Sequence, residues 1–577
     1  MIIASVGVLA GAISSEGMME VARKGIFIPS FFTFDKIMLI FIAVMVTDII
    51  LLDFYNGVGL PTSTTVSIVF ELLGSAFTIG LLLTWSQDQE VDVNSFINFE
   101  TAIKIISGIF ISVLVAFTVG AVVQFITRFF FTFDVEAGMR KYGSIFSGLA
   151  IAAITYFLLI KGLKGSSMVS KDTMTWIKEH SLLVNAISVA FWTLITWAVT
   201  RVTAINPLRI IVLAGTFALA MAFAGNDLVN FIGVSVAGFQ SLQAWSASGS
   251  PAEQYFMHIL NEEAKAPLYL LLAAGLIMVV TLWTSKKSRK VSQTEVKLAR
   301  QGEGEERFQS NAVSRAIVGF FIRVNDLAIG LIGNSATATI NERFSSKRSK
   351  NAEDGASFDL LRASVNLMTA SILIAYATSL KLPLSTTYVS FMVAMGTSLA
   401  DRAWGKESAV YRVAGVLQVI GGWVMTAVIA FVASSIFAAI LFYGDRVGFF
   451  ILLFIAAFTL VRSHVQFRRK SKEEAEVETE MVLRPALAEQ YAVHKEEISQ
   501  DLRNLDRLIT LSLRSLVGSN RDILNESNKR LMLDEKRVDK AYKKAFRINE
   551  NFAAKDKVIY ARLQIEAHSN MAEMYRV

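Results

Sequence analysis

Between Lys36 and Leu460 the chain is a succession of apolar runs parted by short polar breaks. About 20 residues of helix cross the hydrocarbon core of a bilayer, where backbone groups must be satisfied within the segment itself. The runs Lys36–Asp53, Val66–Trp85, Ile103–Ile126, Ile145–Ile160, Leu182–Thr200, Leu208–Phe223, Leu268–Trp283, Leu360–Leu380, Val389–Leu399, Val413–Phe442 and Phe449–Leu460 therefore predict membrane helices. An all-α polytopic membrane protein is the expected fold class, with the bilayer as its first partner. The 577 residues are 53% apolar, but the charged ones gather after Val461.

A net charge of +7 would suggest nucleic acid in a soluble protein. In a membrane chain, Lys and Arg in short loops mark the cytoplasmic side instead. By that rule the basic stretches Ser285–Phe308 and Arg462–Lys472 are cytoplasmic, and the C-terminal tail lies inside the cell. The chain has no cysteine, which excludes disulfides and thiolate metal sites. His180, His258, His464, His494 and His568 show no metal-ligand spacing, and no nucleophile elbow or phosphate loop occurs. Neither catalysis nor a cofactor is expected. The opening "MIIASVGVLAGAISS" lacks a basic n-region and a cleavage site, so it predicts a membrane helix whose beginning is missing or very short.

Two short stretches stand out, "LPTSTT" at Leu60–Thr65 and "LPLSTT" at Leu382–Thr387, offset by 322 residues. At the same offset Thr47 matches Thr369 and Gly74 matches Gly396. Upstream, "IIASVGVLAGAISS" resembles Leu271–Ser285, and the basic "EVARKG" and "KKSRKV" follow them. Duplication of this kind is common in transporters. It predicts a first half over residues 1–200, N-terminally incomplete, and a second over 201–461 carrying a long basic loop at about 285–355. Pro61 and Pro383 suit the first turn of a new helix, which puts Ser63, Thr64, Thr65 and Ser385, Thr386, Thr387 in first turns. Hydroxyls there either simply cap a helix or, with the free amides and the helix dipole, bind an anion. Two near-identical copies favour the second reading, because paired broken helices point to a transporter site.

A third polar stretch, "AGNDLVNFIGVSVAG" at Ala224–Gly238, follows a long apolar run. Asn226 and Asn230 share a helix face with Asp227 beside them, and Gly225, Gly233 and Gly238 permit close approach or unwinding. A carboxylate at membrane depth is a functional candidate, against the alternative of an interfacial cap. Asp48, Asp53 and Glu71 bracket the first hydroxyl motif and read as weaker candidates, Asp53 as interfacial. Gly7 and Gly11 form a GxxxG, which predicts helix packing. After Arg462 the spacing of Ile498, Leu502, Leu505, Ile509, Leu513 and Leu516 predicts an amphipathic helix. "VGSNRDI" ends that helix and a second charged one starts near Asn525, so residues 462–577 form a soluble helical tail.

"AGNDLVNFIG" is similar to the "GANDxxN" signature of the inorganic phosphate transporter (PiT) family, and the two hydroxyl stretches resemble its paired "PxSTT" motifs. Gly421–Phe431 resembles the segment that follows the second of these. The resemblance covers most of Met1–Tyr443. It implies two inverted repeats with broken or re-entrant helices, and symport of inorganic phosphate with Na⁺ or H⁺ across the cell membrane by a homodimer. Carried over, Asn226, Asp227 and Asn230 match the Asn-Asp signature as substrate-binding and cation-coupling residues, with Na⁺ at Asp227. Ser63, Thr64, Thr65, Ser385, Thr386 and Thr387 match the hydroxyl motifs as substrate ligands. The tail resembles PhoU-like domains in composition. Family members carry the Asn-Asp signature twice and a histidine after the hydroxyls. Here the first signature is absent, which an N-terminal truncation would explain, and Val66 and Tyr388 replace the histidines.

Phosphate needs many donors to leave water, and Asp227 would repel it unless a cation came too. Two readings compete with phosphate symport. A permease of the same fold for sulfate or another oxyanion needs similar donors. A non-transporting, membrane-anchored regulator would use the tail as its working part.

Overall fold

The computed structural model describes residues 1–14, 21–59, 61–87, 93–161, 171–203, 205–262, 267–285, 334–344, 359–380, 384–402 and 408–483, with isolated positions elsewhere. The chain forms two compact units, Met1–Phe467 and Arg468–Val577. The first holds α1 (Ile2–Ser14), α2 (Phe34–Val58), α3 (Thr64–Gln87), α4 (Phe99–Phe131), α5 (Val135–Thr155), α6 (Lys171–Glu179), α7 (Ser181–Val202), α8 (Pro207–Phe223), α9 (Val229–Ser248), α10 (Leu268–Thr284), α11 (Asn334–Arg343), α12 (Leu360–Ser379) and α13 (Thr386–Ala400). Helix α14 is assigned over Ser408–Leu483 and breaks at Asp445, whose φ of 44° and ψ of −126° leave the helical region. Of the second unit, residues 468–483 and isolated helical positions from Arg503 to Arg530 are described. The stripe from Ile498 to Leu516, Pro383 and most of the basic loop at 285–355 lie outside the described residues.

Local sequence sets the helix ends. Asn98, Asp134 and Asp359 cap α4, α5 and α12 by accepting from the N–H of Thr101, Ala137 and Arg362. Asn206 does the same for α8, where Pro207 fills the first turn. Gly59 ends α2 at φ 78°, the left-handed cap that glycine adopts without strain.

Among the described residues eight stretches are long and apolar enough to cross a membrane, and this is a multi-pass, all-helical membrane protein. Five expected runs differ from that set, two of them, Val413–Phe442 and Phe449–Leu460, by falling within the single stretch Arg412–Arg469. Leu268–Trp283 forms the shorter helix α10. Val389–Leu399 lies within α13, fifteen residues long and nearly all buried. Leu208–Phe223 continues through a π-helical turn, Ala224–Leu228, to the end of α9.

The helices meet at small residues. A Cβ on Gly7 or Gly11 would strike the Phe217 or Met221 carbonyl of α8, so the GxxxG is a packing face. Two further contacts are reciprocal. Gly74 of α3 lies against the Phe431 carbonyl of α14, and Gly396 of α13 lies against the Phe117 carbonyl of α4. Each hydroxyl-motif helix thus packs on the long helix that follows the other motif.

Candidate functional site

Both hydroxyl motifs open a helix, and within each the hydroxyls divide their work. Ser63 Oγ accepts from the Val66 N–H at 3.2 Å, and Ser385 Oγ accepts from the Tyr388 N–H at 3.1 Å. The two serines are caps, satisfying amides that the first turn leaves open. Helix α3 begins at Thr64, so Pro61 precedes it by three residues and is not its first-turn proline. Pro61 instead gives its carbonyl to Trp423 Nε1 at 3.1 Å. The Trp423 ring stacks on Tyr388, with centroids 3.8 Å apart and planes 17° apart. Thr62 also reaches Thr426 across 3.2 Å. Helix α14 therefore clamps the start of α3 to the start of α13.

Between those two starts lies Asp227. It belongs to the π-helical turn that joins α8 to α9, a bulge of the kind that often marks functional sites. Here the backbone widens rather than unwinds. Thr65 Oγ1 donates to Asp227 Oδ1 at 3.1 Å, and Thr386 Oγ1 donates to Oδ2. Asn226 Nδ2 donates to Asp227 Oδ1 at 3.1 Å and to the Leu384 carbonyl at 2.8 Å. Asn230 Nδ2 donates to Thr65 Oγ1 at 3.4 Å. One carboxylate thus receives a hydroxyl from each motif, at the positive ends of two helices.

The nine residues named from the sequence are not equal in this arrangement. Thr65, Asn226, Asp227, Asn230 and Thr386 form one connected network. Ser63 and Ser385 sit behind it as caps, while Thr64 and Thr387 are half-buried in the same first turns. The side-chain oxygens of Asn226 and Asn230 are buried and accept no hydrogen bond. With the Asp227 carboxylate they make a set of oxygen donors of the kind a hard cation takes. The hydroxyls of Thr65 and Thr386 are both engaged by Asp227.

Two further polar clusters lie outside this network, one at the weaker candidates Asp48 and Glu71 and one at Arg128, which the sequence did not single out. Asp48 of α2 and Glu71 of α3 are sealed at 1% and 0% exposure. Ser67 donates to Glu71 Oε1 at 2.6 Å, whereas both Asp48 oxygens and Glu71 Oε2 have no hydrogen-bond partner. Elsewhere, Arg128 of α4 donates to Asp401 through Nε at 2.8 Å and Nη2 at 2.6 Å, and pairs with Asp359 at 2.8 Å. Gln124 adds a bond to Asp401 at 2.7 Å. Burial works to raise the Asp359 carboxyl, but Arg128 outweighs it and holds the group below its ordinary range. The only signal in the sequence was a charged residue next to an apolar run, which an interfacial position also explains.

A solved structure titled "The sodium-dependent phosphate transporter" is similar at 14% identity, covering 76% of this chain and 88% of that one with a TM-score of 0.48. No curated protein matches. The model of the phosphate transporter family, PHO4, matches residues 1–294, just over half of the chain, and the protein belongs to that family.

Proposed function

We propose that the chain imports inorganic phosphate across the cytoplasmic membrane with Na⁺ or H⁺, and that Asp227 couples the two. The observation that supports this is the single carboxylate held by a threonine from each hydroxyl motif, with two unpartnered amide oxygens beside it. Phosphate carries between one and two negative charges near neutral pH. An ionised Asp227 about 4 Å away would repel each by about 4 kcal/mol at an effective dielectric of about 20. Na⁺ on Asp227, Asn226 and Asn230 removes that repulsion, and so does a proton on Asp227. The same event frees Thr65 and Thr386 to donate to the anion, beside Ser63, Thr64, Ser385, Thr387 and the first-turn amides. Cation and anion are then bound together or not at all.

The membrane voltage makes the same demand. Each charge costs roughly 2.3 kcal/mol per 100 mV, so a dianion entering a negative interior needs two or more cations to offset it. Residues 1–200 and 201–461 act in this reading as two inverted repeats that rock about the loaded site. The reciprocal packing of α3 on α14 and of α13 on α4 supports that division. Residues 462–577 form a cytoplasmic, PhoU-like helical tail, and two copies of the chain make the transporter.

The test is uptake of labelled phosphate by vesicles containing the full chain, under an imposed Na⁺ or H⁺ gradient. Asp227→Asn should weaken the response to the gradient by roughly 5–150-fold while the protein still folds. Uptake with an unaltered cation response removes Asp227 from the mechanism. Sulfate that competes as well as phosphate makes this an oxyanion carrier of broader choice.

A further inference from the structure

Asp48 and Glu71 are unlike the other acids of the membrane unit. Asp48 lies in α2 and Glu71 in α3, and they are near enough for their charges to repel. Among the described residues neither makes an ion pair, and no base is seen bonded to either acid. Helix α9 has no ionisable side chain after Asn230, and α14 presents Ser434, whose hydroxyl goes to the Glu71 backbone carbonyl at 2.8 Å. The turn Val21–Gly25 packs on α3 and α9, but its Arg23 and Lys24 bond the carbonyls of Ile259 and Asn261, each at 2.9 Å. Asp53 and Tyr55 lie one to two turns further along α2. Asp227 is the next acid, bonded to Thr65 six residues before Glu71, about 9 Å along the helix.

Ser67 decides what this pair needs. A hydroxyl has one proton to give, and Ser67 gives it to Glu71 Oε1 at 2.6 Å. Ser67 also reaches Asp48, but with its one proton on Glu71 neither Asp48 oxygen has a hydrogen-bond partner. An ionised Asp48 would be a buried charge with no donor, opposite a second carboxylate, an arrangement that neither burial nor like charge permits. A proton on Asp48 resolves both conflicts. It donates to Ser67 Oγ, Ser67 donates to Glu71, and the chain of hydrogen bonds closes.

We propose that Asp48, Ser67 and Glu71 form a proton-carrying site inside the membrane unit, distinct from Asp227, in which the two carboxyls hold at least one proton through Ser67. The site lies on the helix that supplies Thr65, so its charge adds to that of the Asp227 site. Only its part in coupling rests on the transport reading, since the proton itself follows from the local hydrogen bonding.

Infrared spectroscopy of the purified full chain in phosphatidylcholine vesicles reads that proton with no substrate present. At neutral pH the protein should show a carboxylic-acid carbonyl band that shifts in heavy water. The Asp48→Asn, Glu71→Gln double variant should lose it, Asp227→Asn should keep it, and Ser67→Ala should move it. No such band at neutral pH, or one unchanged in the double variant, overturns the proposal. Should the double variant not fold, a band unaltered in both single variants overturns it equally. Protein that takes up phosphate but lacks the band sinks the acid pair alone. A band in protein that takes up no phosphate keeps the pair and sinks the transport reading.

Discussion

Asp401 and Asp48 are both sealed acids in one unit, and the chain houses them in opposite ways. Asp401 receives three donated bonds from Gln124 and Arg128, and Asp359 shares the same guanidinium. Asp48 receives none and faces a second carboxylate. Asp227 stands between them, with neutral donors on both oxygens and no base among the described residues. Burial alone therefore does not mark a functional acid. A carboxylate matched by a guanidinium ties α4, α12 and α13 together, and its charge state is fixed. One matched by hydroxyls and amides, or by nothing, has no counter-charge among the described residues.

The largest effect should come from breaking the matched pair. Arg128→Met strands Asp401 and Asp359 and should cost about 3–5 kcal/mol of stability, read as a fall in the unfolding midpoint of the detergent-solubilised protein. An unchanged midpoint would mean the guanidinium is not what holds those helix ends. Next in size, Asp227→Asn should weaken the dependence of uptake on the cation by roughly 5–150-fold, the usual range of a coupling energy. A full retention of that dependence would place Asp227 with Asp401 as a structural acid.

Within one hydroxyl motif the two neighbours should separate. Ser385→Ala removes a cap and should lower stability by about 1 kcal/mol, measured by the same unfolding. Thr386→Val should read out instead in the cation concentration needed for half-maximal uptake, because it removes a donor from Asp227. If the two variants exchange these signatures, the division between cap and ligand is wrong. The smallest change should be Asp48→Asn, which leaves no charge stranded and should move the unfolding midpoint by a small fraction of the Arg128→Met loss. A comparable loss would show that Asp48 has an electrostatic partner after all.

The acid in "AGNDLVNFIG" was legible because it interrupts a long apolar run, and the hydroxyl motifs because they repeat. That Asp227 joins the two was not legible, since Thr65 and Thr386 meet it across 162 and 159 residues. The π-helical turn was hidden too, because one extra residue in a bulge leaves no mark on an apolar pattern. Asp48, Glu71 and Asp53 all read as weaker candidates, with Asp53 alone as interfacial; Asp53 is half-buried and the other two are sealed. The difference lies in how α2 packs against α3. Arg128 lies just beyond the expected run Ile103–Ile126, and nothing local shows that Asp401 and Asp359 meet it from the ends of α13 and α12.

By itself the sequence determined that this chain lives in a membrane and carries an oxygen-rich polar inventory within it. Both follow from local quantities: the length of an apolar run, and the price in free energy of any polar group inside one. Tertiary structure alone decided which hydroxyl caps and which donates, which acid meets a base, and which two acids meet each other. Those outcomes depend on side chains far apart in the chain arriving within about 3 Å, the reach of a hydrogen bond, and no local pattern encodes that distance.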